Sequence, residues 1–184
     1  IDKPIKTIVV TSSLAGEGKS TVVGNLAYSL SQDGARVLVI DCDLRKPSVH
    51  KKFLIPNDKG LTDVLFDKQD LKEVIKKIEN NLYVLPCGTI PPNPAEILGS
   101  KTMEEFLDKL SINYDYIILD TPPVLAVTDA QLLAAKADAT VLVVKANKTK
   151  GKTVVNSYKE LEKVKANIIG TILNDYDNSG ERLY

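Results

Sequence analysis

The chain has 184 residues, of which 43% are hydrophobic and 26% charged, the composition of one folded domain rather than a disordered segment. Lys plus Arg (24) balances Asp plus Glu (24), which argues against a dedicated nucleic-acid binder, whose affinity comes from neutralising phosphates. The apolar runs, such as Val141-Leu142-Val143-Val144, fall far short of the ~20 residues that span a bilayer. The first residue is Ile1 rather than Met, so the sequence is expected to be a piece of a longer polypeptide.

In chain order, six strands are expected at residues 6–12, 36–42, 82–86, 116–120, 139–146 and 167–173. They are continuous β-branched runs such as Val37-Leu38-Val39-Ile40, as burial on both sheet faces requires. Helical patterns lie between them at 19–32, 71–78, 102–110, 129–135 and 153–164. In the second of these, Leu71, Val74, Ile75 and Ile78 keep the i, i+3, i+4, i+7 spacing of one helix face. Residues 46–70 and 87–100 read as long loops beside strand ends. Alternating strands and helices predict a single α/β domain over 1–184, with a mostly parallel central sheet flanked by helices.

Cys42 and Cys87 form no CxxC pair and read as small, semi-buried thiols of a reducing compartment. His50, flanked by lysines, reads as a solvated residue rather than a ligand or base.

The segment Ser13-Leu14-Ala15-Gly16-Glu17-Gly18-Lys19-Ser20-Thr21 follows a strand and opens a helix, the setting of a phosphate-binding loop. Gly16 and Gly18 let backbone N–H groups turn inward around phosphate oxygens at a helix N-terminus. Ala15, Gly16, Glu17, Gly18, Lys19, Ser20 and Thr21 are therefore candidate nucleotide-binding residues. Lys19 would supply charge to the β- and γ-phosphates, Ser20 a hydroxyl to Mg²⁺, and Thr21 a donor to the α-phosphate. Ser13 stands where a first glycine is usual, which a small residue tolerates if its φ is negative.

At the end of the second strand, Asp41-Cys42-Asp43-Leu44-Arg45 spaces three polar side chains two apart. If strand geometry persists they line one side, with Cys42 turned away. Carboxylates on an apolar strand need a cation or water, and a metal-bound triphosphate would supply one. Tyr116-Ile117-Ile118-Leu119-Asp120 ends an apolar strand in an acid, the form of a Walker B element that holds Mg²⁺. Asn174 follows the last expected strand and has two readings, a reader of the adenine edge or an ordinary turn residue.

The segments AGEGKST at 15–21, VIDCDLRKP at 39–47, GTIPPNPAEIL at 88–98 and YDYIILDTPP at 114–123 together resemble the bacterial tyrosine kinases of capsule and exopolysaccharide synthesis. The likeness extends over essentially the whole chain. It implies a three-layer P-loop NTPase fold, ATP and Mg²⁺ as cofactors, and transfer of the γ-phosphate to tyrosines of other proteins and of the chain's own C-terminal tail. Lys19, Asp41, Asp43 and Asp120 become the candidate catalytic set, with Ser20, Asp43 and Asp120 around the metal and Asp41 receiving the tyrosine proton. The resemblance further implies a cytoplasmic location beside a transmembrane activator, no nucleic-acid partner, and homo-oligomers in the full-length protein. A Glu- and Arg-containing N-terminal helix and a C-terminal tyrosine cluster belong to the family pattern. Neither is present in 1–184, where Tyr184 is read as a candidate first member of such a cluster. Arg45, Lys46 and Arg182 are candidates for tail or phosphate contacts.

The rival reading is a chromosome-partitioning or septum-site ATPase switch. Such switches carry a lysine early in the loop, where this chain has Leu14. An iron–sulfur carrier ATPase would need bridging cysteines that Cys42 and Cys87 do not supply.

Overall fold

A computed structural model describes residues 4–66 and 69–176. Arg182 and Tyr184 lie outside the described residues. Seven strands form one sheet among the described residues: β1 Thr7–Ser12, β2 Val37–Asp41, β3 Lys76–Glu79, β4 Leu82–Leu85, β5 Tyr116–Asp120, β6 Ala139–Lys145 and β7 Ile168–Asn174. Their order is β3-β4-β2-β5-β1-β6-β7, and every pairing is parallel except β3 with β4. The helices are α1 Lys19–Gln32, α2 Val49–Lys52, α3 Leu61–Phe66, α4 Leu71–Val74, α5 Pro94–Gly99, α6 Lys101–Leu110, α7 Asp129–Ala134 and α8 Gly151–Lys163.

The strand alternation sorts the apolar residues into two cores. Ile8, Val10, Val37, Val39, Ile118, Val141 and Val143 pack with Val22, Val23 and Ala27 of α1 and Val49 of α2. Their in-between neighbours Val9, Leu38, Ile40, Ile117 and Leu119 pack with α3, α4, α5, α6, α7 and α8 residues on the opposite face. Side chains two apart on a strand share a face, so each unbroken apolar run serves both layers. The result is the three-layer α/β arrangement expected from the sequence.

Three expectations are corrected. The helix expected at 71–78 stops at Val74, because Ile75 leaves it in an extended conformation (φ −63°, ψ 129°). The next residues form β3, which turns through Asn81 (φ 64°) into β4 as an antiparallel hairpin. β-Branched Ile75 and Ile78 suit a strand, and Asn is well tolerated at the left-handed turn position. Residues 46–70 hold α2 and α3, and residues 87–100 hold α5, where the expectation was long loops. Pro94 opens α5 at a position whose N–H has no intrahelical partner.

Cys42 and Cys87 are fully buried rather than semi-buried. Burial and nearby carboxylates raise both thiols, Cys87 to about 12. His50 is half-buried rather than solvated, with Nδ1 unpartnered, and burial lowers its pKa.

Candidate functional site

β1, β2 and β5 lie side by side and run parallel, so their C-terminal ends open at one edge of the sheet. The loop between β1 and α1 turns through Gly16 (φ 78°) and Gly18 (φ 84°). Gly18 is the left-handed N-cap of α1, a conformation that costs other residues more than glycine. Ser13 has no positive φ, as its place in the loop requires. Thr11 Oγ1 donates to Pro122 O at 2.9 Å, Thr121 Oγ1 to Val10 O at 3.0 Å, and Val124 N to Ser12 O at 2.9 Å. These bonds tie the loop after β5 to the end of β1.

The loop, Asp43, Lys46, Ser48 and Pro123 enclose a cleft of about 360 Å³ whose lining includes Ala15, Gly16, Glu17, Gly18, Lys19, Ser20 and Thr21. Within it the Lys19 ammonium pairs with Asp120 Oδ1. Ser20 Oγ donates to Asp120 Oδ2 at 2.7 Å and lies 2.8 Å from Ser48 Oγ. Asp41 and Asp120 are direct neighbours across β2 and β5, and both are fully buried. Asp41 Oδ2 accepts from Ser48 N at 3.0 Å and Val49 N at 2.9 Å, while Oδ1 has a single 3.2 Å contact with Asp43 N. Burial, reinforced by Asp120, raises the Asp41 pKa to about 7 against the pull of its backbone donors. Burial also raises Asp43, which lines the cleft and accepts from Lys46 N at 3.0 Å.

The expectation that Asp41, Asp43 and Arg45 share one side is corrected. β2 ends at Asp41, and the chain turns there. Arg45 instead grips the fully buried Asp129 of α7 with two bonds, Nε to Oδ2 at 2.9 Å and Nη2 to Oδ1 at 3.0 Å. Asn174 ends β7, and its amide Nδ2 donates to Glu17 O at 2.9 Å. That places it against the phosphate loop rather than in an isolated turn. Sequence reasoning missed Ser48, although Pro47-Ser48 after an acidic strand end is a recognisable helix entry. It also missed Thr149, whose hydroxyl bonds Glu17 Oε1 from 132 residues away and leaves no local pattern.

The donors suit a magnesium-bound polyphosphate. Mg²⁺ takes hard oxygen ligands, usually one or two carboxylates completed by phosphates and water. Ser20, Asp43 and Asp120 present such oxygens beside a glycine turn, and among the described residues the buried carboxylates exceed the single buried ammonium, that of Lys19.

Fold and site together define a P-loop nucleotide-binding domain. A family model described as an AAA domain matches residues 5–174. The chain is 44% identical over 175 residues to the tyrosine-protein kinase YwqD of Bacillus subtilis, covering 95% of this chain and 74% of that one. It is 36% identical to the putative tyrosine-protein kinase CapB of Staphylococcus aureus, covering 94% and 76%. The solved kinase domain of the Escherichia coli tyrosine kinase ETK superposes with a TM-score of 0.92 at 32% identity, covering 100% of this chain and 72% of that one. The chain belongs to the bacterial tyrosine-protein kinases within the AAA-domain family. A plasmid partition protein from Borrelia burgdorferi, 23% identical with a TM-score of 0.73 over 98% of this chain and 84% of that one, shares the fold alone.

Proposed function

We propose that the domain transfers the γ-phosphate of ATP to protein tyrosines, in the setting of capsule or exopolysaccharide synthesis. The observation that carries this reading is the second acidic strand end: Asp41 closes β2 directly opposite Asp120 of β5, and Asp43, two residues on, lines the cleft with the phosphate loop. Leu14, half-exposed in the loop, lacks the cation that partition-type switches carry there, which supports transfer over switching.

In this reading the 15–21 backbone and Lys19 bind the phosphates, and Ser20, Asp43 and Asp120 would hold Mg²⁺, which would supply positive charge against the polyphosphate. Lys19, now paired with Asp120, exchanges that carboxylate for phosphate oxygens. Asn174, beside the loop, contacts the base.

Asp41 receives the tyrosine proton, with Oδ1 the less committed oxygen. Tyrosine ionises near pH 10, so a carboxyl at about 7 reduces the cost of complete proton transfer to about 4 kcal/mol, against about 8 kcal/mol for an ordinary aspartate. A loose transition state lowers the demand further, because the proton leaves late.

No helix among the described residues is long and apolar enough to cross a membrane. Membrane association would come through a transmembrane activator, and tail phosphorylation through homo-oligomers of the full-length protein.

The test is incubation with [γ-³²P]ATP and a tyrosine-bearing peptide, followed by analysis of the labelled amino acid. Phosphotyrosine is expected; free phosphate alone would favour the switch. Asp41→Ala should abolish phosphotyrosine while sparing most of the ATP affinity. Normal turnover in that variant removes Asp41 from the mechanism.

A further inference from the structure

Glu17 is 2% exposed within the phosphate loop, and a carboxylate so placed needs partners. Its Oε2 accepts from Leu14 N at 2.7 Å, closing the outer turn of the loop on itself. Its Oε1 takes the Thr149 hydroxyl, and its backbone carbonyl takes the Asn174 amide at 2.9 Å. Thr149 sits in the short connection between β6 and α8. That connection is fixed to the sheet by Ala146 N donating to Asn174 O at 2.8 Å, and by Thr149 N donating to Lys145 O at 3.1 Å. The same connection brings Lys148 Nζ to 3.8 Å from where a β-carbon on Gly16 would stand. The loop is therefore held from outside by the ends of β6 and β7.

We propose that Glu17 and Thr149 are a positioning pair: Thr149 orients the Glu17 carboxylate, and Glu17 sets the loop conformation that determines affinity for the nucleotide's polyphosphate. The proposal rests on the nucleotide-site reading above. Ordering backbone residues costs conformational entropy, so a loop already shaped by this latch loses less on binding phosphate. Without the hydroxyl, the carboxylate turns toward water and releases Leu14 N. The pair touches no reacting atom, so its loss weakens binding rather than the transfer step.

Calorimetry with Mg-ATP and Mg-ADP, with kcat and KM for phosphotransfer, tests this. Thr149→Val should weaken both nucleotides about tenfold, the effect of losing a hydrogen bond to a charged group, with kcat changed less than about twofold. Thr149→Ser should restore wild-type affinity. Glu17→Gln should weaken binding, and adding Thr149→Val to it should cost less than the two single losses combined, because the residues act as a unit. Wild-type affinity in Thr149→Val, no rescue by serine, or full additivity overturns the latch. Should Thr149→Val fail to fold, the Glu17→Gln and Thr149→Ser affinities decide: a weakened first and an intact second support the latch, and any other result overturns it. A wild-type chain that binds neither nucleotide overturns the nucleotide reading itself.

Discussion

Asp41 is a carboxyl the fold holds at a cost. Its ordinary pKa of 3.8 rises to about 7 in the folded chain, through burial first and the neighbouring Asp120 second. Between those values the folded state keeps a proton that the unfolded state has released. Stability contributed at this site is thus complete at low pH and is lost as pH rises through about 7. Asp41→Asn removes this titration while retaining one oxygen as acceptor. In metal-free buffer, wild type should lose stability relative to Asp41→Asn by roughly 2–4 kcal/mol between pH 5 and pH 8. Urea unfolding of both proteins at the two pH values measures the gap, and a gap that does not move with pH refutes the assignment.

At the scale of elements, α3 and the loop after β4 are built against each other with almost no clearance. A β-carbon on Gly60 would stand 2.2 Å from Gly88 N and 2.3 Å from both Cys87 C and Pro86 O, all backbone atoms that cannot rotate away. Asp63 of α3 accepts from Gly60 N at 2.7 Å and from Thr89 Oγ1 at 2.8 Å, and Thr62 Oγ1 donates to Thr89 O at 2.7 Å. These bonds hold the start of the 88–98 segment beside the nucleotide edge. Gly60→Ala should cost about 3 kcal/mol, lowering Tm by roughly 6–12 °C in a chain of this size. Gly151→Ala, with open space around the added carbon, is the control and should leave Tm unchanged or raise it, because alanine favours helix. Equal melting of Gly60→Ala and wild type would contradict the close approach.

The elements that could be read from the sequence were those with a long period and a punctuating signal. α1 was expected at 19–32 and runs Lys19–Gln32, because a glycine turn opens it. The segment 71–78, which holds the start of β3, has the pattern of a helix because Leu71, Val74, Ile75 and Ile78 satisfy the helical period by coincidence over too few residues to arbitrate. α2, α3 and α5 have four to six residues each, too short for periodicity to register. In the site, the loop and Asp120 were legible as contiguous motifs. The Arg45–Asp129, Glu17–Thr149 and Glu17–Asn174 contacts span 84, 132 and 157 residues and exist only once the sheet has formed.

At the scale of the whole molecule, the nucleotide edge is assembled by such distant pairs, and Arg45–Asp129 is the one that joins the turn after β2 to α7. Asp129 is fully buried, whereas the Arg45 side chain is 41% exposed. Its bidentate grip raises the guanidinium pKa, chiefly through the hydrogen bonds. Removing one partner of a fully buried pair costs about 3–5 kcal/mol, and exposure of the arginine discounts this toward about 2 kcal/mol. Arg45→Met should lose about that amount by leaving the Asp129 carboxylate without its guanidinium. Arg45→Lys should recover part of it, because an ammonium restores charge without the planar two-bond fit. Adding Asp129→Asn to Arg45→Met should regain stability, because the uncompensated buried charge is gone. A coupling of about 1 kcal/mol or more is expected from the urea-unfolding double-mutant cycle. Zero coupling would mean that α7 has no part in placing the turn that carries Asp43 and Ser48, the acidic side of the site.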